Sequence, residues 1–260
     1  MYISPDFDPV KEAEHIIAHT RNWFETNGPQ TTAVLGISGG KDSTIAAKIL
    51  VEALGKDRVL GVLMPCNLQP DIMDSIQAAD MLDIENICVN IGQTESKLRN
   101  TIKKSGFHKN KARMVGLSKD ALINMQPRIR MTVLYALAQS EPNGGRVINT
   151  CNASEDYVGY STKYGDAAGD YAPLADYTVS ELLAIGDALG LPENLVHKTP
   201  SDGLSGMSDE IKLGVSYADI DRYIRTGACD DEMVKNRIDY LHQINMHKLK
   251  PIPFCPRLAA

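Results

Sequence analysis

The residues from Gly36 to Ser43, GISGGKDS, have types and spacing suited to one kind of chemistry. A β-branched run, Thr31 to Ile37, leads into them and a strongly helical run, Thr44 to Leu54, follows, so the glycines sit where a strand turns into a helix. Such a turn aims unpaired backbone N–H groups and the positive helix end at one small volume, which suits phosphate oxygens. Two familiar phosphate loops do not fit. A Walker A loop needs Ser or Thr directly after its Lys, whereas Asp42 follows Lys41, and only three residues separate Gly36 from Gly40. No G-x-G-x-x-G dinucleotide fingerprint can be drawn. A plain turn is the competing reading, with Asp42 or Ser43 merely capping the helix.

The elements that must position this loop alternate along the chain. Helical spacing runs over Pro9–Phe24, Asp71–Leu82, Glu95–Lys104, Lys119–Gln139, Thr178–Leu189, Val215–Arg225 and Asp231–Met246. Strand-like runs cover Val59–Met64, Ile87–Ile91 and Arg146–Thr150. This order predicts an α/β fold, a doubly wound parallel sheet in one domain over residues 1–260. Pro127 must kink its helix or start the helix's real first turn. Residues 105 to 118 are basic and read as a connection. The stretch from Thr150 to Pro173 is polar, aromatic and glycine-bearing without clean periodicity, and such stretches at strand ends usually carry function.

Composition narrows the ligand. With 43% hydrophobic residues, the 260-residue chain can build a substantial core, and its formal charge of −6 argues against non-specific nucleic-acid binding. A small phosphorylated ligand fits better. The five scattered cysteines form no C-x-x-C pair, which indicates neither a disulfide framework nor a zinc site. Cys151 lacks a placed base and is read as inert. No run approaches the roughly 20 apolar residues that span a bilayer, and the N-terminus lacks a signal pattern, so no membrane role and a cytoplasmic location are expected.

The run Ser38-Gly39-Gly40-Lys41-Asp42-Ser43 resembles the SGGxDS loop (PP-loop) of the ATP pyrophosphatases, which cleave ATP between its α and β phosphates. The resemblance implies a Rossmann-like sheet of the adenine nucleotide alpha hydrolase type. The second cluster, Thr150-Cys151-Asn152-Ala153-Ser154-Glu155 through Pro173, resembles the nicotinate-recognition segment of NAD synthetases. Asn124 with Arg128, Arg130 and Met131, then Pro200-Ser201, Asp209-Glu210 and His247-Lys248, are similar to further motifs of that family in the same order.

The resemblance implies ATP contacts at Gly36, Ile37, Ser38, Gly39, Gly40, Lys41, Asp42, Ser43, Thr150 and Ser201, and Mg²⁺ ligands at Asp42 and Glu155. Two hard carboxylates beside polyphosphate suit that ion. It implies deamido-NAD contacts at Arg128, Lys163, Asp170, His247 and Lys248, with both substrates bound in a homodimer. Asp166 would steer or deprotonate the incoming ammonium, joined in the catalytic group by Asp42 and Lys163. Taken singly, each has a bland alternative: solvated helix charges at Arg128 and Arg130, an exposed acid at Glu155, favourable helix-end charges at His247 and Lys248. Their order along the chain with the loop reverses those odds. Where the family commonly has a phosphate-binding Lys, this sequence has Val179, and Lys41 is the candidate for the missing charge.

The implied reaction is ATP-dependent amidation of deamido-NAD through an acyl adenylate. Only about 30 residues precede the first strand, too few for the amidase of glutamine-dependent relatives, so ammonia is the expected donor. A lid is expected around Gly203–Ser208. The rivals are an ATP pyrophosphatase modifying tRNA and a nucleotide sensor without turnover.

Overall fold

The computed structural model describes residues 1–68, 72–105, 117–198 and 209–257. The expected lid and Ser201 lie outside the described residues. Helix α1 (Pro9–Asn27) begins at Asp8, whose carboxylate accepts from the N–H groups of Val10 and Lys11. After it come β1 (Thr32–Gly36), α2 (Lys41–Leu54), β2 (Val59–Leu63), α3 (Ile72–Met81), β3 (Glu85–Cys88), α4 (Gly92–Lys104), α5 (Lys119–Ser140) and β4 (Gly145–Val147). The strands pair in parallel in the order β3-β2-β1-β4, with Ala33 beside Val59 and Thr32 beside Gly145. The order reverses between β1 and β4. In an open parallel sheet, the crevice at the strand C-termini next to such a reversal is where ligands bind.

Period-two side chains divide the sheet's two faces. Ala33, Leu35, Val59 and Leu63 join a core under α1, α2 and α3, while Val34, Leu60 and Val62 meet Met125, Ile129, Leu134 and Ala138 of α5. Both faces are covered, as expected for a doubly wound sheet. Ser118 caps α5 through the N–H of Ala121, so Pro127 lies inside the helix and the first-turn alternative is excluded.

The remaining elements are α6 (Ala153–Val158), α7 (Val179–Ala188), α8 (Glu193–Val196), α9 (Asp209–Leu213), α10 (Tyr217–Thr226) and α11 (Glu232–Leu249). Helix α8 packs Leu195 and Val196 into the core under α1 and α2, while the others build a third apolar cluster around Val158, Val179, Val215, Tyr217, Ile220 and Ile238. Helix α6 is a departure from expectation: six residues are too few to show a 3.6-residue period. Strand β3 starts two residues before its apolar signal.

Candidate active site

The loop after β1 is held by its own serines. Ser43 Oγ donates to the Gly40 carbonyl (3.1 Å) and accepts from the Ser38 N–H (3.3 Å), and the two serine hydroxyls lie 3.1 Å apart. Gly39 has φ +73°, and a Cβ there would stand 2.6 Å from the backbone of Asp74 and Ser75, so only glycine fits. Gly40 starts α2 with no side-chain cap. The plain capping reading of Asp42 and Ser43 therefore fails, and the first N–H groups of α2 are left for a ligand.

Behind the loop stands a buried set of charges. Lys41 is 5% exposed, and its Nζ lies 2.8 Å from Asp42 Oδ2. Asn152 caps α6 by accepting from the Glu155 N–H (2.9 Å) and donates through Nδ2 to Asp42 Oδ1 (3.2 Å). One amide thus ties the two acids together. Sequence reading gave Asn152 no role, although Asn three residues before Glu is a capping pattern. Burial, with the charge of Asp42 added, holds the Glu155 carboxyl well above the ordinary range, while Lys41 works against the shift. Glu155 is thus crowded by like charge, not an exposed helix acid. Hard oxygen donors short of positive charge fit a magnesium ion that arrives with phosphate oxygens to complete its shell. Among the described residues no group of three or more His, Cys, Asp or Glu forms a cage of its own.

A cavity of about 700 Å³ opens over the loop at the strand-order reversal. Gly36, Ile37, Ser38, Gly40, Lys41, Asp42, Ser43, Thr150, Glu155, Asp166 and Lys248 all line it. Gly39 instead turns toward α3. Asp166 faces the cavity with Oδ1 accepting from the Thr162 N–H (2.9 Å), and desolvation by the walls raises its carboxyl above the ordinary range. Lys248 donates to the Gly159 carbonyl (2.6 Å), and burial lowers its ammonium despite Asp166 nearby. Lys119, Arg130 and Lys198 are wall cations that sequence reading did not assign.

Arg128, Lys163 and His247 group at the outer rim and do not line the cavity. Arg128 Nε donates to the Lys163 carbonyl (3.2 Å), and Lys163 Nζ to the His247 carbonyl (2.7 Å). Asp170 is exposed, and its carboxylate accepts from the Val147 N–H (2.8 Å) and the Tyr135 hydroxyl (3.3 Å), so it fastens the loop to β4. Val179 is 5% exposed in the third apolar cluster. Burial pushes the Cys151 thiol up, in keeping with an inert residue.

The NAD synthase family model matches residues 12–252. The chain belongs to the NAD synthase family. It is 35% identical to the NH(3)-dependent NAD(+) synthetase of Pyrococcus furiosus over 81% of this chain and 77% of that one. For the enzyme of the same name from Carboxydothermus hydrogenoformans, identity is 34% over 91% and 95%. The solved NMN synthetase of Francisella tularensis superposes with a TM-score of 0.86 at 29% identity, over 97% of this chain and 100% of that one. The parallel sheet and the loop cavity are thus those of a NAD synthase family member, and no helix among the described residues is long and apolar enough to cross a membrane.

Proposed function

We propose that this protein is an ammonia-dependent NAD synthetase, amidating the nicotinate carboxyl of deamido-NAD with ATP and releasing AMP and pyrophosphate. The observation that carries the reading is the joining of Asp42 and Glu155, from separate parts of the chain, through Asn152 beside an uncapped helix N-terminus. Neither an apolar base pocket nor a simple phosphate turn needs that arrangement.

The loop N–H groups and the Ser38 and Ser43 hydroxyls cradle the β and γ phosphates of ATP. Asp42 and Glu155 would hold magnesium, whose charge would neutralise the departing pyrophosphate. The nicotinate carboxylate attacks the α phosphorus, giving an acyl adenylate whose leaving group is AMP. Asp166, kept in a partly desolvated wall, captures ammonium and accepts its proton, so that ammonia attacks the activated carbonyl. Lys248 lies near enough to oppose excess negative charge there. Arg128 and Lys163 present their positive charge outward to the dinucleotide in a homodimer, with the His247 ring beside them. The C–N ligase reading leaves no role for a tRNA, in keeping with the acidic balance of the chain.

A second reading concerns only the length of the substrate. The high structural likeness to a protein named NMN synthetase favours nicotinate mononucleotide as the acceptor. Purified protein with ATP, Mg²⁺ and ammonium or glutamine is to be given each acceptor, with amide and pyrophosphate measured together. Equimolar amide and pyrophosphate from deamido-NAD and ammonium is the expected result. Preference for the mononucleotide would establish the second reading, and pyrophosphate release with neither acceptor present would defeat both.

A further inference from the structure

Two side chains beside the acids take no part in the bond changes of this reaction. Lys41, on the first residue of α2, buries its ammonium 2.8 Å from Asp42 and within the electrostatic reach of Glu155 and Asp209. It stands where a cation shared by Asp42 and Glu155 has to stand. Tyr217, the first residue of α10, places its ring 6.0 Å from that ammonium and is itself 5% exposed. Its buried hydroxyl makes no hydrogen bond among the described residues, while the charges of Glu155, Asp209 and Asp42 all reach it. An unpartnered buried hydroxyl is costly and rare in native proteins, and a phenol beside acids offers a donor. The neighbouring Val179 supplies no polar group to satisfy it.

We propose that Lys41 is a displaceable internal cation, which holds Asp42 until metal and nucleotide enter together. It then yields Asp42 to the metal and turns its ammonium to the departing diphosphate, where the Tyr217 hydroxyl donates beside it. This rests on the ATP-pyrophosphatase reading of the loop. Its consequence is thermodynamic coupling: a divalent ion alone must compete with Lys41, whereas diphosphate draws the ammonium away and makes room for the ion.

The test uses Mn²⁺ as the metal probe, followed by electron paramagnetic resonance, and inorganic pyrophosphate followed by calorimetry, on the full chain. In Lys41→Met, binding of Mn²⁺ alone is expected to tighten by about tenfold and binding of pyrophosphate with Mn²⁺ to weaken by about tenfold, within the ordinary range of coupling between sites. Lys41→Gln serves the same purpose should the first variant not fold, and Lys41→Arg should restore the wild-type pattern. Tyr217→Phe should weaken pyrophosphate several-fold, by loss of one donor, and leave Mn²⁺ alone unchanged. Unchanged or weaker Mn²⁺ binding in the Lys41 variants, or unchanged pyrophosphate affinity in them, would overturn the coupling. A wild-type protein that bound no pyrophosphate would remove the parent reading as well; binding that these variants do not alter removes the internal cation alone.

Discussion

At the inner end of the cavity the charged groups are held by other side chains: Asp42 by Lys41 and Asn152, and Glu155 on a helix capped by the same Asn152. At the outer rim Arg128 and Lys163 give their nitrogens to backbone carbonyls, as Lys248 does on the cavity wall, and none of the three forms an ion pair among the described residues. A carbonyl fixes a cation's position without cancelling its charge. The inner end is therefore organised for a charge of fixed place, and the outer rim keeps its positive charge for an anion that comes from outside. The two should respond differently to substitution.

The largest effect belongs to the inner acids. Asp42→Asn combined with Glu155→Gln should lower amide formation by about 10⁴-fold, several kcal/mol of charge stabilisation at tenfold per 1.36 kcal/mol. Steady-state rates across a Mg²⁺ titration check it, and a variant retaining full activity would remove the metal assignment. Next comes Asp166→Asn, expected to lower the ammonium-dependent rate by about 10²-fold or more, the scale of a lost general base. Exchange of labelled pyrophosphate into ATP should survive, because adenylation precedes ammonia attack. Loss of that exchange would place Asp166 with the inner group instead.

The outer rim should fail more gently. Arg128→Ala is expected to raise KM for the nicotinate substrate by about tenfold with kcat nearly unchanged, the signature of an interaction made equally in ground and transition states. Comparing deamido-NAD with nicotinate mononucleotide sharpens this: a penalty confined to the dinucleotide assigns Arg128 to its diphosphate. A fall in kcat as large as that of Asp166→Asn would erase the distinction between the two ends.

The alternating strands and helices were legible because each repeats over enough residues to show its period, and the glycine loop because only certain residues tolerate its geometry. Helix α6 was not, being six residues long. Its cap, Asn152, joins the Glu155 N–H to Asp42, so the least legible element carries one of the two acids. Asn152 was missed for a different reason. Its amide works in two directions, to a helix N-terminus and to an acid on α2, and only the first leaves a local pattern. Asp170 shows a further case: no local pattern signals that its carboxylate accepts from the Val147 N–H and the Tyr135 hydroxyl. Spacing along the sequence gives a residue's neighbourhood, while the direction of its side chain depends on partners far along the chain.

The smallest effect tests whether the inner end leans on the apolar cluster behind it. Asp221, on α10 and fully buried, accepts from the hydroxyl of Ser154 (2.5 Å) and from the hydroxyl (2.5 Å) and N–H (2.9 Å) of Ser180. Ser154 in turn accepts from the Val179 N–H (3.0 Å), so one carboxyl fastens α6, with Glu155 next to Ser154, to the start of α7. Burial raises that carboxyl above its ordinary value, and the three donors only partly oppose the shift. A carboxyl raised in the folded state binds its proton more tightly there than in the unfolded chain. Its contribution is therefore fully present below the ordinary carboxylate range and is lost as pH rises through the folded value. In Asp221→Asn one amide oxygen cannot serve three donors, so at acid pH the variant should be less stable by about 1–3 kcal/mol. The gap should narrow as pH rises, because only the wild-type protein then carries the buried charge. Urea unfolding at pH 4 and pH 8 measures both values, and a gap that widened would show the donors outweighing burial. In the same variant Mg²⁺ affinity should fall by up to about tenfold, as when a group supporting a metal ligand is lost, while KM for the nicotinate substrate stays unchanged. A change in that KM instead would mean that the cluster steadies the whole cavity, and that the two ends are not separately supported.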